Sequence, residues 1–259
     1  MSTILYASPV FGPVHSRRLG VSLGVNLLPA DGKVCTFDCV YCECGFNAER
    51  HARGAMPRRA DVAAALERKL RGMSLAGQLP DVITFAGNGE PTLHPEFASI
   101  VDDVVSLRDK YCPAAKVSLL SNATMAHRPA VHAAMMRMDN NILKLDTVSP
   151  EYIRMVNRPV DKGYDVEEII ETLCSFNGRV IVQTMFMRGF LGCRDVRNTA
   201  DEYVDPWLRA IERIKPGGVM IYTIDRDTPD RRLAKATKEE LDSICRRVKA
   251  LGIPCTASY

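Results

Sequence analysis

The feature that most constrains this chain is a group of four closely spaced cysteines, Cys35, Cys39, Cys42 and Cys44. The first three are separated by three and by two residues, inside a loop that we predict over residues 29–47. Four thiolates saturate a four-iron cluster, whereas three leave one iron open to bind another molecule. We therefore predict that Cys35, Cys39 and Cys42 hold an open cluster. Cys44 leaves a second interpretation, a closed four-thiolate zinc site.

An aromatic residue, Tyr41, precedes the third cysteine, and this pattern resembles the signature of the radical S-adenosylmethionine (radical SAM) superfamily. Residues 11–20 and 87–95 resemble one branch of it, the wyosine-synthase-like Fe-S oxidoreductases. The resemblance continues at residues 121–122, 157–159 and 221–225. It indicates a specific type of chemistry but does not identify the substrate.

The resemblance implies a radical SAM enzyme of the Fe-S oxidoreductase type with two cofactors, one 4Fe-4S cluster and S-adenosylmethionine (SAM). In such enzymes, SAM binds the open iron. One electron, from a donor such as flavodoxin or ferredoxin, splits it into a 5′-deoxyadenosyl radical that takes hydrogen from the substrate. The sequence leaves the substrate open between an RNA base, a small metabolite and a peptide. The alternatives are a non-catalytic zinc-binding protein and a glycyl-radical activase that acts on a partner protein.

The resemblance also implies which residues bind SAM. A glycine-rich loop resembles the Gly-Gly-Glu motif that holds the methionyl end of SAM, and it consists of Gly87, Asn88, Gly89 and Glu90. Four further residues stand at or near the ends of predicted strands, where the family places ribose and adenine contacts: Asn122, Asp146, Gln183 and Tyr222. For two of these residues, a purely structural role is an alternative to SAM binding. Glu90 can orient its own loop by accepting backbone hydrogen bonds, and Asp146 can begin a turn.

Other polar residues carry weaker hypotheses. Arg17 and Arg18 suit a phosphate or carboxylate ligand, but a solvated basic turn is an equal alternative. The charged loop 225–232 can bind a polar or phosphorylated substrate, or simply face solvent. His94 fits a structural role better than a catalytic one. Cys193, in a long predicted loop, can act as a hydrogen donor to a radical.

The order of strands and helices predicts an α/β fold. We expect strands at residues 21–28, 81–86, 116–121, 141–146, 179–187 and 219–224, and an edge strand in the tail 253–259. Helices are expected at residues 57–70, 95–110, 129–138, from 149, 166–176, 206–215 and 238–251. A loop is expected at 188–205. Alternating strands and helices indicate a parallel sheet with outer helices. Six units fit the partial (β/α)6 barrel that the resemblance implies, with the motifs at the carboxyl ends of the strands.

Composition adds limits on the cellular setting. The chain has 259 residues, of which 46% are hydrophobic and 25% charged, which fits one globular domain over residues 1–259. No signal peptide or long apolar run is evident, so we predict a cytoplasmic protein without a membrane partner. Nine cysteines without an export signal indicate reduced thiols. A net charge of +3 is too small to indicate a nucleic-acid partner.

Overall fold

A computed structural model describes residues 4–16 and 19–259. The hypothesis about Arg17 and Arg18 therefore lies outside the described residues. The chain forms two compact units. We call residues 5–35 and 50–141 the amino-terminal unit, and residues 4, 36–49 and 142–259 the carboxy-terminal unit. The single domain over residues 1–259 stays a prediction.

The amino-terminal unit is a four-stranded sheet with helices. Its strands lie in the order β1 (Val10–Ser16), β2 (Gly20–Val25), β3 (Val82–Phe85) and β4 (Lys116–Ser121). Its helices are α1 (Arg59–Leu75), α2 (Phe97–Tyr111) and α3 (Pro129–Met135), with a short 3-10 helix at Pro91–Leu93. β1 is antiparallel to β2, and the others are parallel. The sequence analysis missed β1.

Burial explains these elements. All four residues of β3 are buried, as expected for a strand covered on both faces. In α2, the buried residues are Phe97, Ile100, Val101 and Val104, which recur at helical spacing and form one apolar stripe. The rings of Phe85 and Phe97 meet edge to face, with centroids 5.8 Å apart. The core of this unit therefore lies between its sheet and its helices.

The carboxy-terminal unit repeats the alternation. Its parallel strands are β5 (Asn140–Lys144, in this unit from Ile142), β6 (Ile181–Met185), β9 (Gly218–Tyr222) and β11 (Cys255–Ser258), in that order. Its helices are α4 (Pro150–Tyr152), which continues as a π-helix at Ile153–Asn157, α5 (Val166–Cys174), α6 (Asp201–Ile214) and α7 (Lys238–Ala250). The tail forms a strand, as expected, and Thr237 caps α7 in a capping box.

A small antiparallel sheet stands apart from this pattern. It consists of β7 (Met187–Leu191), β8 (Arg194–Asp195) and β10 (Leu233–Lys235). The loop expected at residues 188–205 is therefore wrong over much of its length. Gly192 has a φ of +63°, which permits the tight turn between β7 and β8.

The start of α6 was also placed too late, at Pro206. The helix begins at Asp201, and Pro206 lies inside it. Asp201 and Glu202 occupy the first turn, where carboxylates favour a helix start. Trp207 is fully buried and donates its indole N–H to Leu145 O at 3.0 Å. Packing of this residue stabilises the helix despite the hydrogen bond that proline removes. Across the described ranges, we find no helix with the length and hydrophobicity needed to cross a membrane.

Candidate functional site

The glycine-rich loop is joined to the start of the cysteine loop by backbone hydrogen bonds. Val34 N donates to Asn88 O at 2.9 Å, and Glu90 N donates to Val34 O at 3.0 Å. Gly89 has a φ of +136°, and a Cβ added there would lie 1.8 Å from Val34 O. Only glycine permits this close approach. The loop is therefore held one residue away from Cys35.

The side chain of Asn88 is part of the same attachment. It is fully buried, and its Nδ2 donates to Tyr6 O at 2.9 Å and to Pro29 O at 2.8 Å. Its Oδ1 accepts from Tyr6 N at 2.7 Å. The amide thus pairs with backbone groups that would otherwise be buried without partners. This side chain therefore positions the loop.

Glu90 connects the loop to the end of β4. Its Oε1 accepts from Thr92 N at 3.1 Å, from Thr92 Oγ1 at 2.5 Å and from Ser121 Oγ at 2.8 Å. Its Oε2 accepts from Asn122 N at 2.7 Å. Burial raises the pKa of this carboxyl group, while these donors lower it. Glu90 therefore makes the contacts expected of a residue that orients its loop by accepting hydrogen bonds from backbone N–H groups.

Asn122 follows β4 and lies next to the first cysteine. Its Nδ2 is 3.6 Å from Cys35 Sγ, and its Oδ1 accepts from Thr124 N at 3.1 Å and Thr124 Oγ1 at 2.7 Å. The Thr124 contacts fix the amide so that its N–H₂ group points toward sulfur. Amide donors of this kind stabilise a thiolate.

In the carboxy-terminal unit, a second asparagine makes the equivalent contact. Asn157 ends the π-helix, and its Nδ2 lies 3.7 Å from Cys39 Sγ. Backbone bonds hold the cysteine loop against this helix, because Asp38 N donates to Asn157 O at 3.0 Å and Val40 N donates to Val156 O at 2.9 Å. Cys39 is buried. Burial raises the pKa of its thiol, and the nearby Lys144 lowers it.

Asn157 also joins a buried polar network with Tyr41, Lys144 and Asp146. Lys144 Nζ lies 2.6 Å from Tyr41 Oη and 3.4 Å from Asp146 Oδ2. Asp146 Oδ2 accepts from Asn157 Nδ2 at 2.8 Å and from the Tyr41 hydroxyl. Asp146 Oδ1 accepts from Met185 N at 2.9 Å. Both carboxylate oxygens of Asp146 are therefore occupied by protein donors.

The network has a clear charge state. Burial lowers the pKa of Lys144, but the Asp146 carboxylate and other neighbours more than offset this effect, so that the pKa lies above its ordinary value. Burial and the same carboxylate raise the pKa of Tyr41 well above its ordinary value. A protonated lysine beside an ionised aspartate is a buried ion pair, which needs hydrogen bonds to its remaining groups. Tyr41 and Asn157 provide them.

The other two predicted SAM residues lie on neighbouring strands. Gln183 is half-buried in β6, and its carbonyl accepts from Leu145 N at 3.0 Å. Tyr222 ends β9, and it is close enough to Lys144 to affect the pKa of that lysine. β6 pairs with both β5 and β9, which places Lys144 opposite Gln183 and Met185 opposite Tyr222. These residues therefore lie near the Asp146 network.

A family model for the radical SAM superfamily matches residues 31–201, more than half of the chain. The chain belongs to the radical SAM superfamily. The match includes the cysteine loop, the glycine-rich loop and the Asp146 network. It indicates an enzyme of this superfamily, whose members use a 4Fe-4S cluster and SAM.

Curated relatives of this radical SAM protein cover most of it. A Brachyspira hyodysenteriae protein named GTPase Obg is 27% identical over 233 residues, which are 90% of this chain and 32% of that protein. A UPF0026 protein of Helicobacter pylori is 28% identical over 236 residues, which are 90% of this chain and 71% of that protein. The chain thus spans about a third of the first relative, so a property of that whole protein does not transfer to it.

Solved structures of radical SAM proteins have the same fold. A radical SAM methyltransferase from Sphaerobacter thermophilus has a TM-score of 0.65 and 15% identity, covering 92% of this chain and 66% of that one. TYW1 with a lysine-pyruvate adduct bound has a TM-score of 0.60 and 13% identity, covering 88% and 73%. This similarity confirms the predicted fold class, the partial (β/α)6 barrel of radical SAM proteins.

The cysteines are chemically suited to the cluster that the family implies. All of them are free thiols, and Cys35 and Cys42 are half-buried. Buried side-chain amides face the sulfur of two members of the motif, Asn122 toward Cys35 and Asn157 toward Cys39. Within the described ranges, no three histidine, cysteine, aspartate or glutamate side chains form a ready-made site for a metal ion.

Sequence reasoning missed two residues of the site. Asn157 was noted only as part of an Asn-Arg-Pro stretch, and nothing in that stretch indicates a contact with Cys39. Lys144 was not among the predicted site residues. A usable signal existed, because Lys144 and Asp146 are two positions apart in an extended segment and therefore share a face.

Three weaker hypotheses can now be placed. His94 is buried, with Nε2 2.9 Å from Pro57 O and Nδ1 accepting from Glu96 N at 3.1 Å, which is a structural arrangement. Cys193 is exposed in the turn between β7 and β8. In the charged loop 225–232, Arg226 pairs with Glu43 of the cysteine loop at 2.6 Å.

Proposed function

We propose that this protein is a radical SAM enzyme of the Fe-S oxidoreductase type, with one 4Fe-4S cluster on Cys35, Cys39 and Cys42 and SAM on the loop Gly87–Glu90. The observation that carries the proposal is the pair of backbone hydrogen bonds between Val34 and the glycine-rich loop. It supports a shared site because it fixes the residues assigned to SAM one position from the first cysteine. When bound, the two cofactors would supply a 5′-deoxyadenosyl radical able to take hydrogen from a substrate.

The chain's own contribution is to orient the groups that would hold the two cofactors. Asn122 and Asn157 donate toward the sulfur atoms of Cys35 and Cys39, which favours the thiolate form that binds iron. Glu90 fixes the end of β4 relative to the glycine-rich loop. The backbone of the loop would accept hydrogen bonds from the amino group of SAM, and its two glycines allow the loop to pack against Asn26 and Val34.

The Asp146 network would place a positive charge near Cys39. Its lysine is held protonated by Asp146, so a positive charge stands near the thiolate that binds iron. A nearby positive charge stabilises a thiolate. Each oxygen of Asp146 can accept more than one hydrogen bond, so Asp146, Gln183 and Tyr222 all remain proposed contacts to ribose or adenine.

The protein should be isolated and reconstituted with iron and sulfide without oxygen, reduced, and incubated with SAM. The proposal predicts bound iron and sulfide and the formation of 5′-deoxyadenosine, with flavodoxin or ferredoxin able to replace the chemical reductant. One tightly bound zinc and no 5′-deoxyadenosine would instead identify the zinc-binding alternative. An RNA base, a small metabolite and a peptide remain candidate substrates, and a glycyl-radical activase would need a protein partner.

A further inference from the structure

The carboxy-terminal unit contains a basic cavity that the proposed cofactor site does not use. Its volume is about 540 Å³, within the range of about 300–1,000 Å³ typical of small-molecule sites. Four arginines from three segments line it: Arg154, Arg158, Arg194 and Arg232. Two carboxylates also line it, Glu151 and Asp230, so its walls carry a net charge of +2 from four arginines minus two acids.

The two carboxylates neutralise only part of this charge. Asp230 forms a two-pronged pair with Arg232, at 3.0 Å and 2.7 Å, and its pKa is lowered. Glu151 lies 3.4 Å from Arg194, but both side chains are exposed, and such pairs contribute little. Among residues 4–16 and 19–259, neither Arg154 nor Arg158 has a carboxylate within ion-pair distance. Arg158 Nε donates to Met155 O at 3.2 Å, which leaves the other nitrogens of its guanidinium group, together with Arg154 and the loosely held Arg194, for a ligand.

The cavity is next to the cysteine loop. Arg158 follows Asn157, whose amide lies 3.7 Å from Cys39 Sγ. The carbonyl of Arg158 accepts from Asp38 N at 3.1 Å, and its guanidinium lies over the ring of Phe46, 5.3 Å from the centroid. These contacts fix Arg158 between the cavity and the loop that carries Cys39 and Cys42.

We propose that this cavity binds the phosphate group of the substrate, a phosphate monoester. The inference rests on the proposed function, because it makes the cavity a substrate site beside the cluster. A carboxylate matches one guanidinium fork, whereas a terminal phosphate has three acceptor oxygens and a charge of about −1.5 to −2, which suits several guanidiniums. The phosphate can belong to a small metabolite or to the end of an RNA strand.

Binding to the reconstituted protein should be measured by calorimetry with matched probes. Ribose 5-phosphate is compared with ribose, and a short RNA with a 5′-phosphate is compared with the same RNA carrying a 5′-hydroxyl. We expect only the phosphorylated probes to bind, more weakly as salt rises. If the RNA binds and ribose 5-phosphate does not, the phosphate comes from RNA, and the opposite result indicates a small metabolite. Equal binding of succinate and ribose 5-phosphate would overturn the phosphate assignment.

Arginine substitutions test whether the phosphate binds in this cavity. In the double variant Arg154→Gln and Arg158→Gln, we expect phosphate affinity to fall by more than about tenfold, because charge-assisted contacts are lost. Arg154→Gln alone should retain the fold and still weaken binding, since Arg154 is exposed. The matched control is Arg209→Gln with Arg246→Gln, which removes the same charge elsewhere. Equal losses in both double variants, or no binding to the unmodified protein, would refute the inference. Calorimetry decides this inference, and 5′-deoxyadenosine formation decides the proposed function.

Discussion

Replacing Gly89 with alanine tests the attachment of the glycine-rich loop to the cysteine loop. The new Cβ would lie 1.8 Å from Val34 O and 2.5 Å from Val34 C, at a φ of +136°. Both atoms belong to backbone, so a side-chain rotation cannot relieve the overlap. The loop must move, and the hydrogen bonds from Val34 N to Asn88 O and from Glu90 N to Val34 O must break.

The size of the effect follows from these contacts. Backbone strain at such a φ costs about 1–3 kcal/mol, and two hydrogen bonds contribute about 0.5–1.5 kcal/mol each. The free energy of unfolding should therefore fall by about 2–6 kcal/mol, which is a large part of the about 5–15 kcal/mol of a typical domain. The reconstituted variant should also hold less iron, because the start of the cysteine loop is displaced.

Gly77→Ala is the matched control. Gly77 also has a positive φ, +67°, but no atom lies within 4 Å of an added Cβ. Strain there costs about 1–2 kcal/mol, and the reduced freedom of the unfolded chain offsets about 0.4–1 kcal/mol of it. Urea unfolding of the two apoproteins, followed by circular dichroism, measures the difference. If Gly89→Ala destabilises the protein no more than Gly77→Ala does, the proposed contact between the two loops is refuted.

Three further predictions concern the Asp146 network. Lys144→Met should lower the free energy of unfolding, measured in urea, by about 3–5 kcal/mol, because it leaves the buried Asp146 carboxylate without its positive partner. Adding Asp146→Asn should restore part of this loss. If the effects of the two substitutions simply add, the pairing of Lys144 with Asp146 is contradicted. The pKa of Lys144 is raised, so its stabilising effect is complete below the unfolded value of about 10.4. The cost of Lys144→Met should thus be unchanged between about pH 6 and pH 9, and a decline over that range would count against a charged lysine. Asn157→Leu removes a donor to Cys39 and should make the cluster's reduction potential more negative in a redox titration, whereas an unchanged potential would exclude that donor.

Local patterns predicted much of the fold. The residues of β4 and the start of α7 were predicted correctly, because a short apolar segment and a Thr-Glu capping box are signals contained in a few neighbouring residues. The hairpin of β7 and β8 was missed, since it is short, mostly exposed and paired with β10, which is distant in the chain. The early start of α6 was missed although Asp201 and Glu202 are a local signal for it, because Pro206 favoured a later start and the burial of Trp207 is not visible in the sequence.

The site was predictable in its motifs and not in its contacts. Spacing and resemblance selected the cysteines and the loop Gly87–Glu90. The link between Asn157 and Cys39 joins residues 118 positions apart, and the link between Tyr41 and Asp146 joins residues 105 positions apart. A single sequence carries no signal for such pairs. For the same reason, the hydrogen bonds that Asp146 accepts from Tyr41, Asn157 and Met185 could not be predicted, and its contact with SAM stays a prediction.

The most direct test of the central claim is electron paramagnetic resonance of the reduced, reconstituted protein with and without SAM, in the unmodified chain and in the variants Cys42→Ala and Cys44→Ala. The account predicts a 4Fe-4S signal that changes when SAM is added, is lost in Cys42→Ala and is retained in Cys44→Ala. A signal that does not respond to SAM, or one that requires Cys44 as much as Cys42, would contradict a cluster with three cysteine ligands and one open iron.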